Sequence, residues 1–78
     1  MPSHTLDARG LACPLPVLRA NKWLRSLDAG DELVILVTDP SAPADFAQFC
    51  ASTGHTLVGS EASADEAGVT VLRVRKAG

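Results

Sequence analysis

The chain is poor in cysteine, in net positive charge and in long hydrophobic runs, and each shortage closes off a class of function. Two cysteines, Cys13 and Cys50, in 78 residues are too few for the disulfide framework of small secreted domains, so the core must carry the stability. Seven basic residues against nine acidic ones leave a formal net charge of −2, which argues against a polybasic arm and against direct nucleic-acid binding. The strongest apolar run, LVILV at 33–37, falls far short of the roughly 20 residues that cross a bilayer, so no membrane partner is expected. The opening MPSHTLDARG lacks the basic and apolar regions of a secretory signal, and a cytoplasmic, reducing setting is the simplest expectation. No CxxC is present, and Cys13, Cys50, His4 and His55 show none of the short paired spacings of structural zinc sites, so no metal is expected. The two histidines are expected at strand starts near the surface.

What is present suits one folded domain over residues 1–78: 46% of the residues are hydrophobic and 21% charged. Residues 4–8, HTLDA, precede Gly10 and read as an edge strand entering a turn. Val17, Ala20, Leu24 and Leu27 then recur at helical spacing with Arg19, Lys22, Arg25 and Ser26 opposite, an amphipathic helix that Gly30 should end. From Asp31, DELVILVTD reads as a strand whose uninterrupted apolar centre suits burial on both faces or a mid-sheet place. A second helix is expected over roughly 41–53, with Asp39 or Ser41 as cap and Gly54 as stop. Phe46, Phe49, Cys50 and Thr53 share its face, so Cys50 reads as a small core residue. Strands near 55–61 and 68–75 should close the chain as a hairpin. The order βαβαββ, with right-handed crossovers, predicts a two-layer α/β sandwich with both helices on one face of a four-stranded mixed sheet.

The stretch RGLACPLPVLR, Arg9 to Arg19, holds the candidate chemistry. With Cys13 as N-cap, Pro14 and Pro16 would stand at the first and third helical positions, removing two of the helix's orphan donors. The dipole and the amides of Leu15 and Val17 should then favour a nucleophilic thiolate. The same residues read equally as a small cysteine at a strand-to-helix turn followed by a common helix opener. Parallel pairing of the first two strands would bring Asp39 to the same edge, although a helix N-cap before Pro40 is its plainer role. Arg19 and Lys22, one or two turns on from Cys13, are either a solvated helix face or a docking surface for an acidic partner.

LDARGLACPLPVLR, followed by GDELVILVTDPSAPADFAQFC and a closing VLRVRK, resembles the TusA/SirA family of small sulfur-carrier proteins, whose signature is CPxP at the start of the first helix. The likeness runs from about His4 to Lys76. It implies the βαβαββ fold already read from the pattern, and a persulfide on Cys13 with no bound cofactor. It implies a sulfur donor such as a cysteine desulfurase or rhodanese and an acceptor relay protein, commonly toward tRNA wobble-uridine thiolation, in some members toward cofactor assembly or sulfur oxidation. Pro14 and Pro16 match the motif prolines, Gly10 belongs to the turn before them, Asp39 matches an acidic position at the end of the central strand, and Cys50 a position where some relatives carry cysteine. Two other readings compete: a non-catalytic interaction domain using the basic clusters, and, ranked last for want of a nearby resolving cysteine, a thiol peroxidase or reductase.

Overall fold

The computed structural model describes residues 3–78, in the order β1 (Ser3–Ala8), α1 (Leu15–Arg25), β2 (Glu32–Val37), α2 (Ala42–Thr53), β3 (Thr56–Ala62) and β4 (Thr70–Arg75). The strands form one sheet in the order β1-β2-β4-β3, with β1 parallel to β2 and the other two pairings antiparallel. This is the expected α/β sandwich, and β1 is the expected edge.

Alternation along the strands decides which face is covered. Leu6 and Ala8 on β1, Leu33, Ile35 and Val37 on β2, and Leu72 and Val74 on β4 are buried and point to the helices. The register sets Ile35 between Leu6 and Leu72. Ala20 and Leu24 of α1 and Ala42, Phe46 and Cys50 of α2 complete the core, with Phe46 fully enclosed. The expectation that β2 might be buried on both faces is corrected: Val34 and Leu36 are only half-buried, because both helices lie on one side, and the apolar run marks a mid-sheet strand.

Two boundaries differ from the sequence reading. Helix α1 closes at Arg25, with Ser26 as C-cap, well before Gly30; Leu27 is still buried, but in the connection, and Gly30 turns the chain at φ +89°. The Lys76 ammonium donates to the carbonyl of Leu24 at that helix end, where a cation suits the dipole. At the other boundary α1 begins at Leu15, not beside Cys13, with consequences for the site. Helix α2 stops as expected, at a left-handed Gly54 whose amide bonds the Cys50 carbonyl at 2.9 Å. His4 lies within β1 and His55 just before β3, both half-buried.

Candidate functional site

Because β1 and β2 run parallel, their C-terminal ends open on one edge, and α1 and α2 both begin there. Gly10 turns the chain out of β1 at φ +78°, a left-handed conformation that disfavours any side chain, and its amide donates to Thr38 Oγ1 at 2.8 Å. Three residues on, the Cys13 amide donates to Asp39 Oδ2 at 2.7 Å. The loop is thus fixed at two points to the segment leaving β2. Arg9 ties it a third way, pairing with Asp7 at 2.8 Å and with Glu66 of the β3–β4 connection at 2.6 Å. The guanidinium holds the Asp7 carboxyl down to about 2.

Cys13 is exposed and is bonded to no other cysteine. The N-cap is Pro14, so Cys13 stands one residue outside the helix, and Pro16, the second helical residue, is turned into the core. Of the two amides expected at the sulfur, those of Leu15 and Val17, the first is therefore lost. Leu15 spends its N–H on the Ala12 carbonyl at 2.9 Å, and Pro16 has none to give. The expected favouring of the thiolate is also corrected. The Cys13 thiol is pushed above its usual value of 9.0, first by side-chain hydrogen bonding with Asp45, then by desolvation and by the charges of Asp45 and Asp39.

Asp39 is not the N-cap of α2; Ser41 is. The Asp39 carboxylate lies between the two helix starts instead. Its Oδ1 accepts the Ser41 amide and hydroxyl, both at 3.0 Å, while Oδ2 takes the Cys13 amide. These backbone bonds hold its carboxyl below the usual range. Asp45, half-buried in the first turn of α2, was not singled out by the sequence. Its signal was available, since whatever brings Asp39 to this edge brings the first turn of α2 with it.

Arg19 and Lys22 are exposed on α1, and neither they nor Arg25 takes part in an ion pair among the described residues. They flank an open apolar groove between α1 and β1, lined by Leu6, Leu15, Leu18 and Trp23. Leu15, Leu18 and Trp23 are among the large hydrophobic side chains most exposed on the described surface. Cys50 is buried, as its helical position predicts, and burial pushes its thiol up. Among the described residues no three histidine, cysteine or carboxylate side chains converge as for a metal ion, and no helix is long and apolar enough to cross a membrane.

The family described as sulfurtransferase TusA matches residues 4–76. A Neisseria meningitidis serogroup A protein, named provisionally as a sulfur carrier, is 55% identical over 58 residues, covering 74% of this chain and 78% of its own. The sulfur carrier protein TusA of Pseudomonas entomophila is 44% identical over 72 residues, 92% of this chain and 86% of its own. The crystal structure of a SirA-like protein from Desulfitobacterium hafniense superposes with a TM-score of 0.77 at 29% identity, covering 96% of this chain and 99% of that one.

Proposed function

Since the chain belongs to the TusA family of sulfur carriers, we propose that Cys13 is the atom-bearing residue, accepting sulfane sulfur as a persulfide from one protein and delivering it to another. The observation that carries this reading is an exposed cysteine on a loop fixed by hydrogen bonds from Gly10 and from Cys13 itself. A sulfur presented in this way is reached by another protein's thiol without any opening of the fold.

The transfer balances without an external oxidant. The Cys13 thiolate attacks the terminal sulfur of a donor persulfide, R–S–SH; the new bond joins Cys13 Sγ to that sulfur, the old S–S bond breaks, and R–S⁻ leaves with the electron pair. The proton lost by Cys13 goes to solvent or to the leaving thiolate. An acceptor thiolate then attacks the terminal sulfur of the Cys13 persulfide and the Cys13 thiolate departs. The donor is a desulfurase or rhodanese-type protein, the acceptor a relay protein, and the sulfur's destination is tRNA wobble-uridine thiolation. Arg19 and Lys22 are proposed to orient an acidic partner at the same helix.

Incubation with a cysteine desulfurase and cysteine, followed by intact-mass and peptide mass spectrometry, tests the carrier step. The chain should gain mass in units of sulfur on Cys13, and Cys13→Ser, which exchanges one exposed side-chain atom, should stay folded and gain none. Normal loading of Cys13→Ser would exclude Cys13 as the carrier. The destination is tested by loss of 2-thiouridine from tRNA when the gene is deleted; intact thiolation would redirect the reading to sulfur oxidation or cofactor assembly.

A further inference from the structure

The segment that carries Cys13 has little apolar anchorage. Of residues 9–14 only Leu11 is half-buried and the others are exposed, so polar ties must hold the segment to the sheet. Gly10 and Cys13 contribute backbone amides, which Thr38 and Asp39 accept from the chain leaving β2. Arg9 alone contributes a charged side chain. Its Nε and Nη2 grip the two oxygens of Asp7 at 2.8 and 2.9 Å, and its Nη1 donates to Glu66 Oε1 at 2.6 Å, 57 residues farther along the chain. The two-point grip on Asp7 fixes the plane of the guanidinium, and with it the direction in which the remaining nitrogen points. The register sets Ala8, Val37 and Thr70 side by side, which brings the β3–β4 connection to the edge from which the Cys13 segment departs. That connection is itself braced. Ser63 Oγ accepts the amides of Asp65 and Glu66 at 3.2 and 3.3 Å, and the Ser63 amide donates to the Val69 carbonyl at 2.8 Å.

We propose that Arg9 is a positioning residue for sulfur transfer: through Glu66 it clasps the Cys13 segment to the β3–β4 connection, and the clasp keeps the sulfur in the orientation that a partner protein's reacting sulfur must meet. The second clause rests on the carrier reading above; the first does not. When sulfur passes between two proteins, the attacking, transferred and leaving sulfurs must come into line while both chains are docked, so a segment that swivels wastes encounters. A small alkylating reagent carries no such demand, because it approaches the exposed Cys13 from any open side. The clasp therefore acts on transfer and is silent in alkylation. Thr38 and Asp39 tie the segment to the chain leaving β2, and Arg9 ties it to the chain entering β4, so the segment is held from two connections and not one.

The test compares the wild type with Arg9→Gln, Glu66→Gln and the double variant, with circular dichroism to establish that the fold is kept. Amide hydrogen exchange at Gly10 and Cys13, followed by NMR, reads the clasp; the second-order rate of transfer from a persulfidated cysteine desulfurase, beside alkylation by iodoacetamide, reads the orientation. Each single substitution should speed exchange at both amides and slow transfer by up to about fivefold, the scale of an exposed ion pair, while alkylation keeps its rate. Adding Glu66→Gln to Arg9→Gln should change nothing further, since both break the same bond. Wild-type exchange and transfer in a folded Glu66→Gln overturn the proposal, and so do fully additive effects or alkylation slowed as much as transfer. Should Arg9→Gln not fold, Glu66→Gln, at an exposed position, decides by the same readings. Sulfur loading of the wild type is measured beside them: a chain that gains no sulfur on Cys13 refutes the carrier reading and the second clause with it, while the exchange rates still decide the first.

Discussion

The amide of Cys13 is joined to the carboxylate of Asp39, 26 residues farther along the chain, by a 2.7 Å hydrogen bond that spans the two helix starts. The bond makes the position of the sulfur a property of the sheet. Asp39 follows β2, β2 lies beside β1, and the loop bearing Cys13 leaves β1, so three elements must be in register before the bond closes.

Acid should loosen this corner. The Asp39 carboxyl is held below its usual value of 3.8 by the amides of Ser41 and Cys13, so its contribution to folding is complete above about pH 4 and is lost as the pH falls through the lower, folded-state value. Asp39→Asn lacks the charge at every pH. Thermal melting temperatures of the two proteins should therefore differ at neutral pH and converge as the pH falls through the lowered folded-state value of Asp39. A constant difference down to pH 2 would show that the charge of Asp39 is irrelevant.

Gly10 should tolerate asparagine better than alanine. An added Cβ would meet nothing within 4 Å, so the cost of Gly10→Ala lies in its φ of +78° and not in crowding. That cost is about 1–2 kcal/mol, and asparagine, which enters the left-handed region more readily, should recover part of it. Urea unfolding of the three proteins gives the order; equal stability of glycine and alanine would mean that the loop relaxes to a different turn.

Cys50→Ala should cost about 1 kcal/mol, as for removal of one buried side-chain atom, and leave sulfur loading near normal. Cys50 is buried on α2 with Phe46 in the same core cluster, while Cys13 is exposed. Cys50→Ser should cost more, since a hydroxyl would be enclosed among apolar groups. Loss of loading in a folded Cys50→Ala variant would give the second thiol a part in the chemistry.

The strands and helices were legible because their hydrophobic spacing is set by what they bury: alternation in β2, three- and four-residue steps in α1 and α2. The site was legible only as a motif. CPLP names the cysteine, but reading Cys13 as the N-cap assumes that the helix begins where its proline stands. The proline is itself the cap, and the Leu15 amide folds back on Ala12. Of the acidic surroundings, the expected parallel pairing had already placed Asp39 at this edge, and only Asp45 was missed. Asp39 and Asp45 lie 26 and 32 residues from Cys13 in sequence, and only the parallel pairing of β1 with β2 brings both helix starts to one edge. The electrostatic expectation is reversed too, because hydrogen bonding with Asp45 first, then desolvation and the charges of Asp45 and Asp39, raise the thiol.

The positive charge of α1 should act on encounter and leave the reactivity of Cys13 alone. Arg19 and Lys22 have no ion-pair partner among the described residues, so the field they project is not cancelled locally. They flank a groove with Leu18 and Trp23, so an acidic partner that also buries apolar surface would be drawn to this helix. Attraction between exposed charges is screened over about 8 Å at physiological ionic strength. Reversal of both residues to glutamate should therefore slow transfer from a persulfidated donor by tenfold or more at low salt, at the lower end of the range for electrostatic steering, and by progressively less as salt rises. Alkylation of Cys13 by iodoacetamide should change far less, because Asp45 and Asp39, which govern the thiol, are untouched. Second-order transfer rates against salt, measured beside alkylation rates, separate the two effects. Equal transfer by wild type and double reversal at low salt would reduce Arg19 and Lys22 to a solvated helix face and leave the exposed leucines and Trp23 to account for docking without them.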